Sequence, residues 1–141
     1  MPARTASAVW NGSLEEGDGR TQFADGACDL GYSAGSRFRS EEGSNPEELI
    51  GAALAACYSM ALSGMLGQAG HAPKSIETKA TVRIEQVGEG YAITSILLET
   101  VGDVPGADAD TFRSHAANAK ENCPVANALG AVDIELDARL K

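Results

Sequence analysis

Basic residues are scarce in this 141-residue chain: 11 Lys and Arg stand against 20 Asp and Glu, giving a net charge of −9 at pH 7. An acidic chain with a pI near 4.6 has little to offer phosphate backbones or anionic lipid, which argues against nucleic-acid partners. Cysteines number only 3 and are unevenly spaced, too few for a secreted disulfide framework. The opening residues lack the basic-then-apolar pattern of a secretory signal, so a cytoplasmic location is expected. In that reducing compartment a cysteine is more often catalytic, redox-active or metal-binding than structural. His71 and His115 are the 2 histidines, and neither has the short paired spacing of zinc ligands. A glycine-rich phosphate loop, a nucleotide fingerprint and a Ser-His-acid arrangement are all missing, so neither metal nor cofactor is expected.

The chain is 43% hydrophobic and 22% charged, the balance of an ordinary folded protein. A single domain over residues 1–141 is expected, able to bury roughly 68–70% of its unfolded surface. From Ala3 to Phe38, short β-leaning segments are cut by Asn11-Gly12, Asp18-Gly19 and Asp25-Gly26. These dipeptides suit tight turns and predict a β-meander, whose third strand runs through Leu30 and Tyr32 toward Phe38.

Helix-start chemistry follows, with Asn45 as N-cap, Pro46 in the first turn and Glu48 placed for a capping box. The helix is expected to run to about Gly70, with Pro73 beyond it. Leu49 to Gly70 carries no charge, and about 20 apolar residues would suffice to cross a bilayer. Much of the run is Ala, Gly and Ser, which insert weakly, so a helix buried on nearly every side is expected rather than a membrane span. Gly51, Ala55, Ser59 and Ser63 form a strip along which a helix or sheet could approach closely.

Ile76, Ala80, Val82 and Ile84 lie on one parity and Glu77, Lys79, Thr81, Arg83 and Glu85 on the other, as in a half-buried strand. In Tyr91–Val101, Ile93 and Leu97 are expected on one face and Ile96 and Leu98 on the other, both covered, as in a central strand. Ala107–Asn122 reads as a second helix, and Val132 to Leu140 as the clearest strand. The order βββ-α-ββ-α-β predicts an α+β fold with its sheet packed on the long helix.

Three thiols are candidates for chemistry. Cys57 lies mid-helix among Ala53, Leu54, Met60 and Ala61, where packing alone is one reading. Cys123 precedes Pro124, which can open a new turn through Val125 and Ala126. The exposed N–H groups of such a turn would acidify the thiol. Cys28 has no such context. If Cys57 and Cys123 meet in space, a thiolate at Cys57 could attack an O–O bond and the resulting sulfenic acid could be resolved by Cys123. An apolar site would raise the thiol's pKa, so a nearby cation is required. Arg37 and Arg39, expected on the third strand, are the candidates, with Glu47 or Glu48 to hold the guanidinium.

The run from Ser36-Arg37-Phe38 through Gly43-Ser44-Asn45-Pro46-Glu47-Glu48-Leu49 to Ala56-Cys57-Tyr58-Ser59-Met60, with the later Asn122-Cys123-Pro124-Val125, resembles the osmotically inducible protein C and organic hydroperoxide resistance family. The resemblance implies a thiol-dependent peroxidase acting on organic hydroperoxides. It makes Cys57 peroxidatic and Cys123 resolving; Arg37 stabilises the thiolate and Glu47 orients Arg37. It further implies an intertwined homodimer and a dithiol reductant such as a lipoylated protein. A redox sensor or ligand-binding stress protein without turnover is the alternative.

Helix geometry adds a constraint. Glu47 and Cys57 would lie about 15 Å apart along one helix and about 80° round it. An arginine paired with Glu47 would struggle to reach the thiol of its own helix. Either the pair serves Cys57 of the other subunit, or the helix is broken before Cys57.

Overall fold

Three short antiparallel strands open the computed structural model, which describes residues 1–141: β1 (Ala6–Asn11), β2 (Asp18–Phe23) and β3 (Asp29–Tyr32), in that order across one sheet. This is the expected meander, with two differences. Asp18-Gly19 lies inside β2 and pairs with Asn11 and Trp10, so the turn before it falls over residues 12–17. The third strand ends at Tyr32, and Arg37 sits on a short helix, α1 (Ala34–Phe38), instead of a strand. The cause is Ser33, an N-cap whose hydroxyl accepts from the Ser36 N–H at 3.0 Å while the Ser33 N–H donates to the Ser36 hydroxyl at 2.9 Å. With Ser in place of Glu or Gln at the third helical position, this reciprocal box escapes a sequence search.

The long helix, α2, is unbroken from Pro46 to Gln68. That removes the alternative of a break before Cys57. Asn45 Oδ1 accepts from the Glu48 N–H at 2.8 Å, the expected N-cap. At the other end His71 N–H donates to Leu66 O and Gly70 N–H to Gly67 O, with Gly70 at φ 86. This is a Schellman termination, and the left-handed residue it requires is the glycine.

Residues 1–49 and residues 50–141 form two compact units. In the second, β4 (Ser75–Val87), β5 (Gly90–Asp103) and β6 (Asp133–Leu140) make a sheet in the order β4-β5-β6, the first pair antiparallel and the second parallel. β5 is central, as expected. Its facing is not. The register slips between Arg83 and Ile84, so that Arg83 pairs with Ser95 but Ile84 with Ile93, leaving Thr94 as an extra residue. This bulge reverses the side-chain alternation, and Ile93 joins Ile96 and Leu98 on the core side while Leu97 lies on the opposite face. A strictly alternating reading cannot anticipate an inserted residue.

One face of α2 supplies the core: Leu54, Tyr58, Leu62 and Leu66, spaced one turn apart, are fully buried against Ile96, Leu98 and Phe112. The small-residue strip meets the sheet. A Cβ on Gly51 would stand 3.3 Å from Val82, and Ser59 Oγ donates to Thr78 at 2.8 Å. The opposite face of α2 is open, with Met60 77% exposed and Ala53, Ala56 and Gly64 also exposed. Burial on nearly every side is therefore not reached within one chain. By length and apolarity α2 could cross a membrane, yet its Leu and Tyr side chains build this core.

The remaining helices are α3 (Ala109–Asn122) and α4 (Pro124–Ala128). Asp108 caps α3, accepting from the Thr111 N–H at 2.7 Å. Pro124 opens α4 as expected. Lys120 on α3 reaches the Ile134 carbonyl of β6 at 2.9 Å.

Candidate active site

Four residues singled out in the sequence come together as two pairs. In the second unit the Sγ atoms of Cys57 and Cys123 lie 2.9 Å apart. In the first unit the Arg37 guanidinium clasps the Glu47 carboxylate, with Nη2 to Oε1 at 2.7 Å and Nε to each oxygen at 3.2 Å.

Cys57 is half-buried at the border of two faces of α2. On one side are the buried Leu54 and Tyr58, on the other the open Ala53, Ala56 and Met60. Tyr58 donates its hydroxyl to the Ala116 carbonyl at 3.2 Å, which fixes α2 against α3 beside the thiol. Burial raises the Tyr58 pKa well above the ordinary phenol value, so it remains a neutral hydrogen-bond donor.

Cys123 is fully buried where α3 ends and α4 begins, and its own N–H donates to Ala119 O at 2.9 Å. Local sequence chemistry predicted an acidified thiol here. The structure gives the opposite direction: burial, and next the hydrogen bond to Cys57, push the Cys123 thiol up, outweighing the Ala126 and Val125 N–H groups of α4. The Cys123 S–H is the donor in the contact with Cys57.

Arg37 and Glu47 owe their meeting to the close succession of α1 and α2. Glu47 is 6% exposed, and the charge-assisted two-point clasp compensates for its removal from water. The guanidinium carbon of Arg37 stands 5.3 Å from the Phe38 ring centroid. Arg39, the other candidate cation, pairs instead with Glu41 on the surface at 3.0 Å, and Glu48 is exposed and serves α2 through its backbone. Cys28 lies half-buried in the loop before β3, where its carbonyl accepts from the Phe23 N–H at 3.1 Å.

Sequence reasoning missed the wall beside Arg37. Trp10, Leu14, Tyr32, Phe38 and Pro46 line a cavity of about 280 Å³ that Arg37 also borders. The Trp10 and Tyr32 rings lie 5.5 Å apart between centroids, packed across the meander. The aromatic residues of β1 and β3 were a signal for it, once the two strands were placed in one sheet. No group of three or more His, Cys, Asp and Glu side chains is assembled as a metal-ligand set.

Comparison with known proteins puts this geometry in a family. Residues 39–137 match the family model described as OsmC-like protein. The chain is 47% identical over 139 residues to the peroxiredoxin OsmC of Escherichia coli K12, covering 98% of this chain and 96% of that one. It is 30% identical over 136 residues to an organic hydroperoxide resistance protein of Xanthomonas axonopodis pv. citri, covering 94% and 92%. Among solved structures, the organic hydroperoxide resistance protein OhrB of Bacillus subtilis superposes with a TM-score of 0.75 at 25% identity, covering 97% of this chain and 98% of that one. The agreement of sequence over nearly the full length with the α+β architecture leaves one assignment: this chain belongs to the OsmC family.

Proposed function

We propose that this chain is a cysteine-based peroxidase that reduces organic hydroperoxides to alcohols, with Cys57 as the peroxidatic residue and Cys123 as the resolving one. The observation that carries the reading is the 2.9 Å separation of the two sulfurs. The names of the relatives, peroxiredoxin and organic hydroperoxide resistance protein, support it.

The Cys57 thiolate attacks the terminal oxygen of ROOH, the O–O bond breaks, and the alkoxide leaves as ROH after taking a proton. Cys57 is then a sulfenic acid. The Cys123 sulfur attacks it, expelling hydroxide that leaves as water with the thiol's proton, and a disulfide forms. A dithiol reductant, such as a lipoylated protein, returns both thiols and becomes a disulfide itself. A bond of about 2.05 Å needs less than 1 Å of approach from the observed separation.

Arg37 holds Cys57 as thiolate and polarises the peroxide, and Glu47 is its positioning residue. Because α2 is continuous, Glu47 and Cys57 of one chain are about 15 Å apart along the axis. Arg37 and Glu47 therefore serve Cys57 of a second copy, in a cytoplasmic homodimer. The open apolar face of α2 around Ala53, Ala56 and Met60 supports such pairing.

Stopped-flow oxidation of the reduced protein by cumene hydroperoxide tests the reading. Cys123→Ser should react once and stop at a sulfenic acid, and Cys57→Ser should not react. Oxidation of the unmodified protein no faster than that of a free thiol would remove the enzyme and leave the redox-sensor alternative. Mass spectrometry after one equivalent of peroxide should show Cys57 linked to Cys123 and Cys28 unmodified.

A further inference from the structure

We propose that Asn45 is a positioning residue for Arg37: its side-chain amide ties the residue before Arg37 to the residue after Glu47 and so sets where the guanidinium stands. The inference rests on the role given to Arg37 above.

Arg37 is carried by a helix of 5 residues, far too short to hold its own shape. Its place must come from bonds to the rest of the unit. Asn45 Nδ2 donates to the Ser36 carbonyl at 3.2 Å, and Asn45 Oδ1 accepts from the Glu48 N–H at 2.8 Å. The Arg37–Glu47 clasp lies between those two anchor points. Ser36, Arg37, Glu47, Glu48 and Asn45 thereby close a ring that joins the end of α1 to the start of α2. Ser36 backs the ring from behind, donating its hydroxyl to the Ser44 carbonyl at 2.7 Å. Ser36 and Glu47 are both buried, so displacing either leaves polar groups away from water.

Capping explains only half of what the amide does. Asn, Asp and Ser cap helices about equally well, but only an amide accepts at one atom and donates at the other. The donated bond goes to the Ser36 carbonyl, one of those that the end of a helix leaves without an intrahelical partner. A hydroxyl or carboxylate at position 45 would retain the cap and lose this second bond. The turn bearing Arg37 would then be free to shift against Glu47, and a two-point clasp tolerates little displacement.

The test uses the full-length reduced protein with Asn45→Ser and, as a second neutral cap, Asn45→Thr, beside Arg37→Ala. Two readouts are the melting temperature and the pH midpoint of Cys57 alkylation by iodoacetamide, followed by site-resolved mass spectrometry. A third is the rate with cumene hydroperoxide at neutral pH. The Asn45 variants should melt near the unmodified protein, move the alkylation midpoint to higher pH and lose about tenfold in rate, with Arg37→Ala losing more. A midpoint unmoved in both Asn45 variants, whatever their melting temperatures, while Arg37→Ala moves it, would overturn the inference and leave Asn45 a cap alone. A midpoint unmoved in Arg37→Ala would instead bring down the role of Arg37 itself.

Discussion

The sulfur of Cys123 lies 2.9 Å from that of Cys57, although 66 residues separate them in the chain. Cys57 is on the long core helix and Cys123 at the joint of two others, so the thiols meet only where α2 packs beside the junction of α3 and α4. The two are unequal. Cys123 is buried and its pKa is raised, whereas Cys57 borders the open side of its helix.

That inequality predicts an order of chemical modification. With iodoacetamide at neutral pH, Cys57 should be alkylated first, and Cys123 should react more slowly than a free cysteine because its thiolate fraction is reduced. Raising the pH through and beyond the ordinary thiol range should recruit Cys123. Peptide mass spectrometry over a pH series reads this directly, and preferential labelling of Cys123 at neutral pH would contradict it.

The proposed assembly of the site across two copies makes a sharper prediction. A mixed dimer of one Cys57→Ser chain and one Arg37→Ala chain retains an intact Cys57 facing an intact Arg37, so it should show about half of the unmodified activity. The other site has lost both groups. Complete inactivity of the purified mixed dimer would mean that Arg37 serves the thiol of its own chain.

Met60 offers a test of the proposed dimer that leaves the core alone, since its side chain is 77% exposed within one chain. Met60→Lys should retain the circular dichroism of the fold but shift sedimentation from dimer to monomer, because a buried unpaired ammonium at an apolar interface costs several kcal/mol. A sedimentation coefficient equal to that of the unmodified protein would contradict an interface on this face of α2.

Acid stability should depend on Asp108. The Thr111 N–H it accepts holds its carboxyl below the usual carboxylate range. A lowered folded-state pKa stabilises the protein above the unfolded-state value of about 3.9, and this is lost as pH falls through the folded-state value. Asp108→Asn retains the cap without the titration, so its melting temperature should fall less steeply on acidification. Asp108→Ala should melt lower at neutral pH. Melting curves across the acid range check both, and parallel curves for the unmodified protein and the Asp108→Asn variant would refute the linkage.

Much of this was legible in the sequence, for identifiable reasons. Asn45-Pro46 announced α2 because capping chemistry is local, and Cys123-Pro124 announced α4 for the same cause. The Cys57 and Cys123 pair was legible only through resemblance, because no local rule brings together residues so distant in the chain. Arg37 was placed on a strand because its helix depends on Ser33 and Ser36 bonding each other, a pair of residues equally common in loops. The acidity expected of Cys123 failed on burial, a property of the assembled core that neighbours in sequence do not report.

The extra residue at Thr94 constrains how this chain can change length. Removing it alone would leave Arg83 opposite Ser95 and Ile84 opposite Ile93 in an unbroken ladder, with Ile93 still on the core side. A single deletion elsewhere in the stretch, with the bulge retained, would move the residues between it and the hairpin to the other face. The bulge is therefore the place in this strand where a residue can be lost without changing which side chains face the core, a spare unit of length carried inside the ladder.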